Sequence, residues 1–309
     1  MSQIIAVKPV TLATPPRGTD LQTRVSAPTA GTNLPVIIFA HGFGLALDAY
    51  DPLVDHWAAS GFVVVQPTFL DSASLGLGPA DPRYRTIWRQ RVDDLETVID
   101  NLPELLEAVP GLAQRTDVGR LAVAGHSWGG QSVGMLLGAR VIDEDGKPGP
   151  SRFDGRVTAG VLLATTGTGG DDLSPFAQEN FPFMSPDFSD LRTPSLVVWG
   201  DHDQSPLSTR GPDWFTDVFR LSPGARALVT VHGGEHSLGG IHRYGAADTT
   251  DESPARVDLV RTASTAFLRK ELGIDTEAWG SLLNDPTAID PTVGRVDEKP
   301  VEDGSPAIS

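Results

Sequence analysis

Residues 125–130 read Gly-His-Ser-Trp-Gly-Gly and follow the apolar run Leu121-Ala122-Val123-Ala124, the pattern of a fully buried strand. In that position a G-x-S-x-G segment is a sharp strand-to-helix turn. The serine is held in strained backbone geometry, and only glycine on either side leaves room for it. The strain lifts the Ser127 hydroxyl above the end of a sheet. A helix from Gly129 to Leu137 would aim its free N–H groups and positive dipole end at that hydroxyl, which suits an oxyanion forming there.

A serine hydroxyl alone is a poor nucleophile, so this turn demands a base, an acid to orient the base, and donors for the oxyanion. In folds that carry the elbow, the acid follows the serine in the chain and the histidine comes last. Two later strand ends fit. The buried-strand pattern Pro194–Gly200 runs into Asp201-His202-Asp203, and Ala225–Val231 runs into His232-Gly233-Gly234-Glu235-His236. Asp203 is the preferred acid because it has turned into the loop, whereas Asp201 is still on the strand end and suits a turn cap. His236 is the preferred base, with His242 and His232 as alternatives. His56 falls in a predicted helix over 50–60, and His126 is expected to point away from the serine. The run Leu34–Ala40 ends in His41-Gly42-Phe43-Gly44, whose glycines permit close backbone approach. The backbone N–H groups of Phe43 and Trp128 are the expected oxyanion donors.

In this order, His41-Gly42-Phe43-Gly44, Gly125–Gly130, Gly200–Asp203 and Gly234-Glu235-His236 resemble the α/β-hydrolase superfamily over residues 34–272. Within it, His41–Asp71 and the elbow with its double glycine resemble the branch of chlorophyllases, platelet-activating-factor acetylhydrolases and bacterial polyester (cutinase-like) hydrolases. Chlorophyllase-type elbows generally carry Arg where this chain has Trp128, so chlorophyll is not the implied substrate. Dienelactone hydrolases share the branch but use a cysteine nucleophile, and this chain has no cysteine. The resemblance implies an α/β fold, a mostly parallel central sheet flanked by helices, and a serine esterase acting through an acyl-enzyme without a cofactor. Acyltransferase, amidase or lactonase chemistry on the same triad is the alternative, and a non-catalytic ligand-binding homologue a remoter one.

In that fold a lid is inserted where Thr165–Thr193 lie. This stretch is short, rich in Gly, Asp, Pro and Phe, and lacks a long helical period. It predicts a minimal cap, an open cleft, and no jump in rate when substrate forms droplets. Phe176, Phe181, Phe183 and Met184 either line the cleft as an apolar platform for substrate or anchor the loop to the body.

The formal charge of -16 argues against nucleic acid or an anionic membrane surface as partner. It favours a neutral or cationic substrate, whether a small-molecule or polymeric ester. Without cysteine neither disulfides nor thiolate metal sites are available. His232 and His236 lie on a strand end and a glycine loop rather than on one helix face, so no metal is expected. No signal peptide or membrane-length apolar run is visible, which predicts a cytoplasmic protein unless a leader has been removed. Oligomeric state is left open. Strands are predicted at Ile4–Leu12 and Leu21–Ser26, and a long helix at Ile87–Leu106 with its apolar face at Val92, Leu95, Val98, Ile99 and Leu102. Another helix is expected at Pro254–Leu272. Residues 1–283 read as a single domain, and Asn284–Ser309 as an acidic, Pro-rich surface tail whose last ten residues are mobile.

Overall fold

A computed structural model of the chain describes residues 2–78, 81–143, 145–245 and 249–300. The strands are β1 (Ile4–Leu12), β2 (Leu21–Pro28), β3 (Leu34–Ala40), β4 (Val63–Pro67), β5 (Thr116–His126), β6 (Arg140–Val141), β7 (Val157–Leu163), β8 (Pro186–Asp187), β9 (Ser195–Gly200), β10 (Ala225–Val231) and β11 (Gly294–Glu298). The helices are α1 (Asp51–Ala59), α2 (Ile87–Asp100), α3 (Leu102–Glu107), α4 (Trp128–Leu136), α5 (Pro175–Asn180), α6 (Asp217–Leu221), α7 (Pro254–Glu271) and α8 (Glu277–Asn284).

Among the described residues, nine strands form one sheet in the order β1-β2-β4-β3-β5-β7-β9-β10-β11. The pairs from β4 through β10 are parallel, and the outer pairs β1/β2, β2/β4 and β10/β11 are antiparallel. The central strands are apolar throughout because helices cover both faces. Alternation along β3 shows how. Ile37 and Phe39 pack with Tyr50, Leu53 and Trp57 around α1 and with α7. Val36, Ile38 and Ala40 pack on the opposite face with residues of α2, α3 and α4.

From β3 the chain passes to β4 on one side, then crosses to β5 on the other, so the carboxyl ends of β3 and β5 lie side by side. Such a reversal of strand order opens a crevice above the sheet. The loop 41–44 and the serine turn both start there.

Two sequence expectations need correction and a third is extended. The long helix of 87–106 is two helices broken at Asn101, because Pro103 lacks the N–H that would continue the first ladder. Thr165–Thr193, expected as a short cap loop without a long helical period, also holds the six-residue α5 and the two-residue β8. The segment from Asn284 is not simply a tail, since Gly294–Glu298 pairs antiparallel with Ala227–Val231 and supplies the ninth strand. The paired stretch has one large apolar residue, Val296, which packs against the core cluster, and one apolar side chain is too weak a period to read. The stretch expected to be mobile lies, but for Pro300, outside the described residues. No helix among the described residues is long and apolar enough to cross a membrane.

Candidate active site

Only Ser127 separates β5 from α4, and its φ of 56° and ψ of -125° put it in a backbone region that L-residues rarely enter. A Cβ on Gly125 would collide with the carbonyl of Gly129, and one on Gly129 with that of Ala40. Glycine on both sides therefore lets helix, strand and neighbouring strand approach closely enough to hold the turn.

Parallel pairing brings the ends of β9 and β10 to one level, with Gly200 opposite Val231. The two loops that follow carry Asp203 and His236. His236 Nδ1 is 2.9 Å from Asp203 Oδ2, and its Nε2 is 2.9 Å from Ser127 Oγ. A carboxylate only accepts, so Nδ1 holds the proton and Nε2 is free to accept from the serine. Burial raises the Asp203 carboxyl above its usual range, against the hydrogen bond from His236, and Asp251 and Glu235 raise it further. The His236 side chain is 43% exposed, so the reacting end of the array meets solvent.

Asp201 is occupied elsewhere. Its Oδ2 lies 2.8 Å from His232 Nδ1, and its Oδ1 accepts the Gly233 N–H at 2.7 Å. Burial alone would raise this carboxyl, but the hydrogen bonds from His232 and Gly233 hold it below its ordinary value. Asp201 thus ties the turn after β9 to the turn after β10 rather than capping its own. His232 and His236, four residues apart, face different carboxylates. Asp251 cradles the histidine loop by accepting the N–H groups of Glu235 at 2.7 Å and Gly239 at 2.8 Å.

The loop 41–44 hangs on a buried ion pair. Arg91 donates from Nε and Nη2 to the two oxygens of Asp71 at 2.8 and 2.9 Å, and from Nη1 to the carbonyl of His41 at 3.0 Å. Asp71 in turn accepts the Gly44 N–H at 3.2 Å. The guanidinium sits 4.3 Å from the Phe69 ring centre and 4.7 Å from that of Trp128. Burial, helped by Arg91, lowers the His41 pKa to about 4, so the ring is neutral. Its Nε2 accepts the Phe69 N–H at 3.1 Å. A Cβ on Gly42 would lie 3.6 Å from the Ser127 Cβ, which fixes how near this loop comes to the hydroxyl. The amides of Phe43 and Trp128 carry no hydrogen bond to the described residues, and Trp128 opens α4, where helix amides have no internal partner.

From these two residues an aromatic strip runs outward. Phe43 lies 5.6 Å from Trp128, and Phe183 stacks on Trp128 at 5.4 Å and on Trp88 at 6.2 Å. Phe181 meets Phe183 edge-on at 6.1 Å, and Phe176 meets Phe181 at 5.8 Å. Phe176 is 59% exposed and Phe43 51%. Met184 departs from the rest, being buried in the core beneath the strip. The cap segment is pinned down. Trp214 Nε1 donates to the Thr168 carbonyl at 2.8 Å, and Asp217 accepts from Thr168 and from Arg210.

His126 does not merely turn away from the serine; it lies behind His236 with ring centres 4.9 Å apart. Sequence reasoning passed over it together with Tyr50, Asp71, Arg91 and Asp251. One signal was readable: Arg91 falls in phase with Leu95, Val98 and Leu102, a charge on the buried stripe of its helix.

Comparison with known proteins fits this geometry. The family model described as Chlorophyllase matches residues 3–140, a span that includes the 41–44 loop, Asp71, Arg91 and the serine turn. No curated protein matches the chain. Among solved structures, an esterase of Pyrobaculum calidifontis in its monoclinic form is similar, with 20% identity and a TM-score of 0.57 over 88% of this chain and 86% of that one. The sheet order, the serine turn at the switch point and the likeness to that esterase structure show that the chain has the α/β-hydrolase fold.

Proposed function

We propose that the protein is a serine esterase that cleaves carboxylic esters through an acyl-enzyme. The observation that carries this reading is the line Asp203–His236–Ser127, with both gaps at 2.9 Å, beside two unengaged backbone amides. Ser127 Oγ attacks the ester carbon while His236 Nε2 takes its proton, and the buried Asp203 carboxylate stabilises the imidazolium that forms. The carbonyl oxygen becomes an oxyanion held by the Phe43 and Trp128 N–H groups, an arrangement worth about 10²–10³ in rate for each donor. Collapse expels the alcohol, which takes the proton from His236. Water then enters, gives a proton to His236 and releases the acid, restoring Ser127. The half-open face of His236 favours water as the second nucleophile. The exposed aromatic strip that begins at the oxyanion donors suits esters with a bulky apolar or aromatic group.

Covalent labelling tests this. A fluorophosphonate is expected to modify Ser127 alone, in a reaction that also abolishes hydrolysis of p-nitrophenyl esters; an unlabelled, folded protein would sink the proposal. A graded series of p-nitrophenyl, aromatic and polymeric esters then ranks the substrates. Because the cap is short and held by Asp217 and Trp214, rate is expected to follow dissolved ester with no jump at the solubility limit. A clear jump would mean that 165–193 closes over Ser127 as a lid.

A further inference from the structure

Behind the reacting atoms runs a second hydrogen-bonded line. Tyr50 is fully buried and holds φ at 70°, a left-handed conformation in which a bulky aromatic residue is an outlier. Its N–H donates to the His242 carbonyl at 2.7 Å, and its ring meets Phe39 edge-on at 4.7 Å. Its hydroxyl accepts the Gly42 N–H at 3.0 Å and lies 2.8 Å from His126 Nδ1. His126 Nε2 lies 2.7 Å from the main-chain carbonyl oxygen of His236.

The direction of every bond is determined. A carbonyl oxygen only accepts, so His126 Nε2 carries the proton, leaving Nδ1 of the neutral ring to accept from the Tyr50 hydroxyl. Burial, with the adjacent His236, lowers the His126 pKa to about 3, so the ring stays neutral. The line therefore reads Gly42 N–H to Tyr50 oxygen, Tyr50 O–H to His126 Nδ1, His126 Nε2–H to His236 carbonyl. Each contact is on, or one residue away from, a working part. Gly42 precedes Phe43, His126 precedes Ser127, and the carbonyl is the base's own.

We infer that Tyr50 and His126 are positioning residues, a relay that sets the spacing between the oxyanion donors, the nucleophile and the base. This rests on the esterase reading above. Proton transfer and oxyanion capture must occur in one geometry, and a misplacement of about 1 Å can cost on the order of 10²-fold in rate. Neutrality matters too, since a charged His126 would repel the imidazolium that forms 4.9 Å away.

Tyr50→Phe keeps the ring against Phe39 and removes one oxygen. It is expected to lower kcat about 10- to 100-fold, the range for misaligned reacting groups, with KM within about twofold. Adding His126→Ala is expected to lower kcat no further than the poorer single variant, because a relay acts as a unit. A folded Tyr50→Phe enzyme with wild-type kcat, or a loss confined to KM, would overturn the inference. Should the variants fail to fold, ¹⁵N NMR of the histidines in the wild-type protein decides: the Nε2–H tautomer at His126 is expected, and the Nδ1–H tautomer refutes the relay. That measurement needs no turnover, so a wild type that hydrolyses no ester would count against the esterase reading and still leave the relay to be judged by its tautomer.

Discussion

Replacing Ser127 with alanine is expected to lower kcat for a p-nitrophenyl ester by about four to six orders of magnitude, the usual consequence of losing the nucleophile of a triad. The remaining rate would come from the oxyanion donors and binding alone. Folding should survive: the serine's φ of 56° is costly, but alanine bears the same cost, so no large gain or loss in stability is expected. Purified variant and wild type assayed together, with denaturant unfolding as the control for folding, would check both halves. Retention of more than about a tenth of wild-type turnover would contradict covalent catalysis by Ser127.

Asp203→Asn is expected to cost about 10⁴-fold in kcat with the fold intact, because an amide NH₂ facing Nδ1 favours the imidazole tautomer that cannot accept the serine proton. Asp203 is wholly buried and meets His236 at 2.9 Å, so nothing in solvent replaces it. Asp201→Asn is the matched control. It weakens the clasp on His232 and Gly233 and should lower stability while changing kcat by less than about tenfold. The reverse ranking would move the acid to Asp201.

Much of this was legible in the chain because the serine turn leaves few options. The glycines of Gly125–Gly130 specify a strand-to-helix corner by sterics alone, and buried parallel strands announce themselves as continuous apolar runs. Asp203 and His236 could be chosen because chain order is fixed by the fold. The supporting residues were hidden for a physical reason. Tyr50, Asp71, Arg91 and Asp251 act through side-chain hydrogen bonds to partners 8 to 76 residues away in sequence, and no local period marks such partners. Asp203 and Asp201 were separable by turn position, yet only their hydrogen bonds show why: one is taken by His232, the other by His236. Strand β11 was missed because an edge strand with one inward apolar residue looks like tail.

That last strand has a consequence for how the protein comes into being. All three members of the Ser-Asp-His line have been synthesised once residue 236 is made, but the turn that begins the histidine loop is gripped by far later residues. The His232 N–H donates to the Val293 carbonyl at 2.8 Å, and Val231 pairs with Gly294. On the ribosome, β10 must wait with an open hydrogen-bonding edge until more than fifty further residues have emerged, an edge that invites pairing with other nascent chains. On the esterase reading proposed above, activity would be tied to the completion of translation, and a chain cut short before β11 would be prone to aggregate rather than to act.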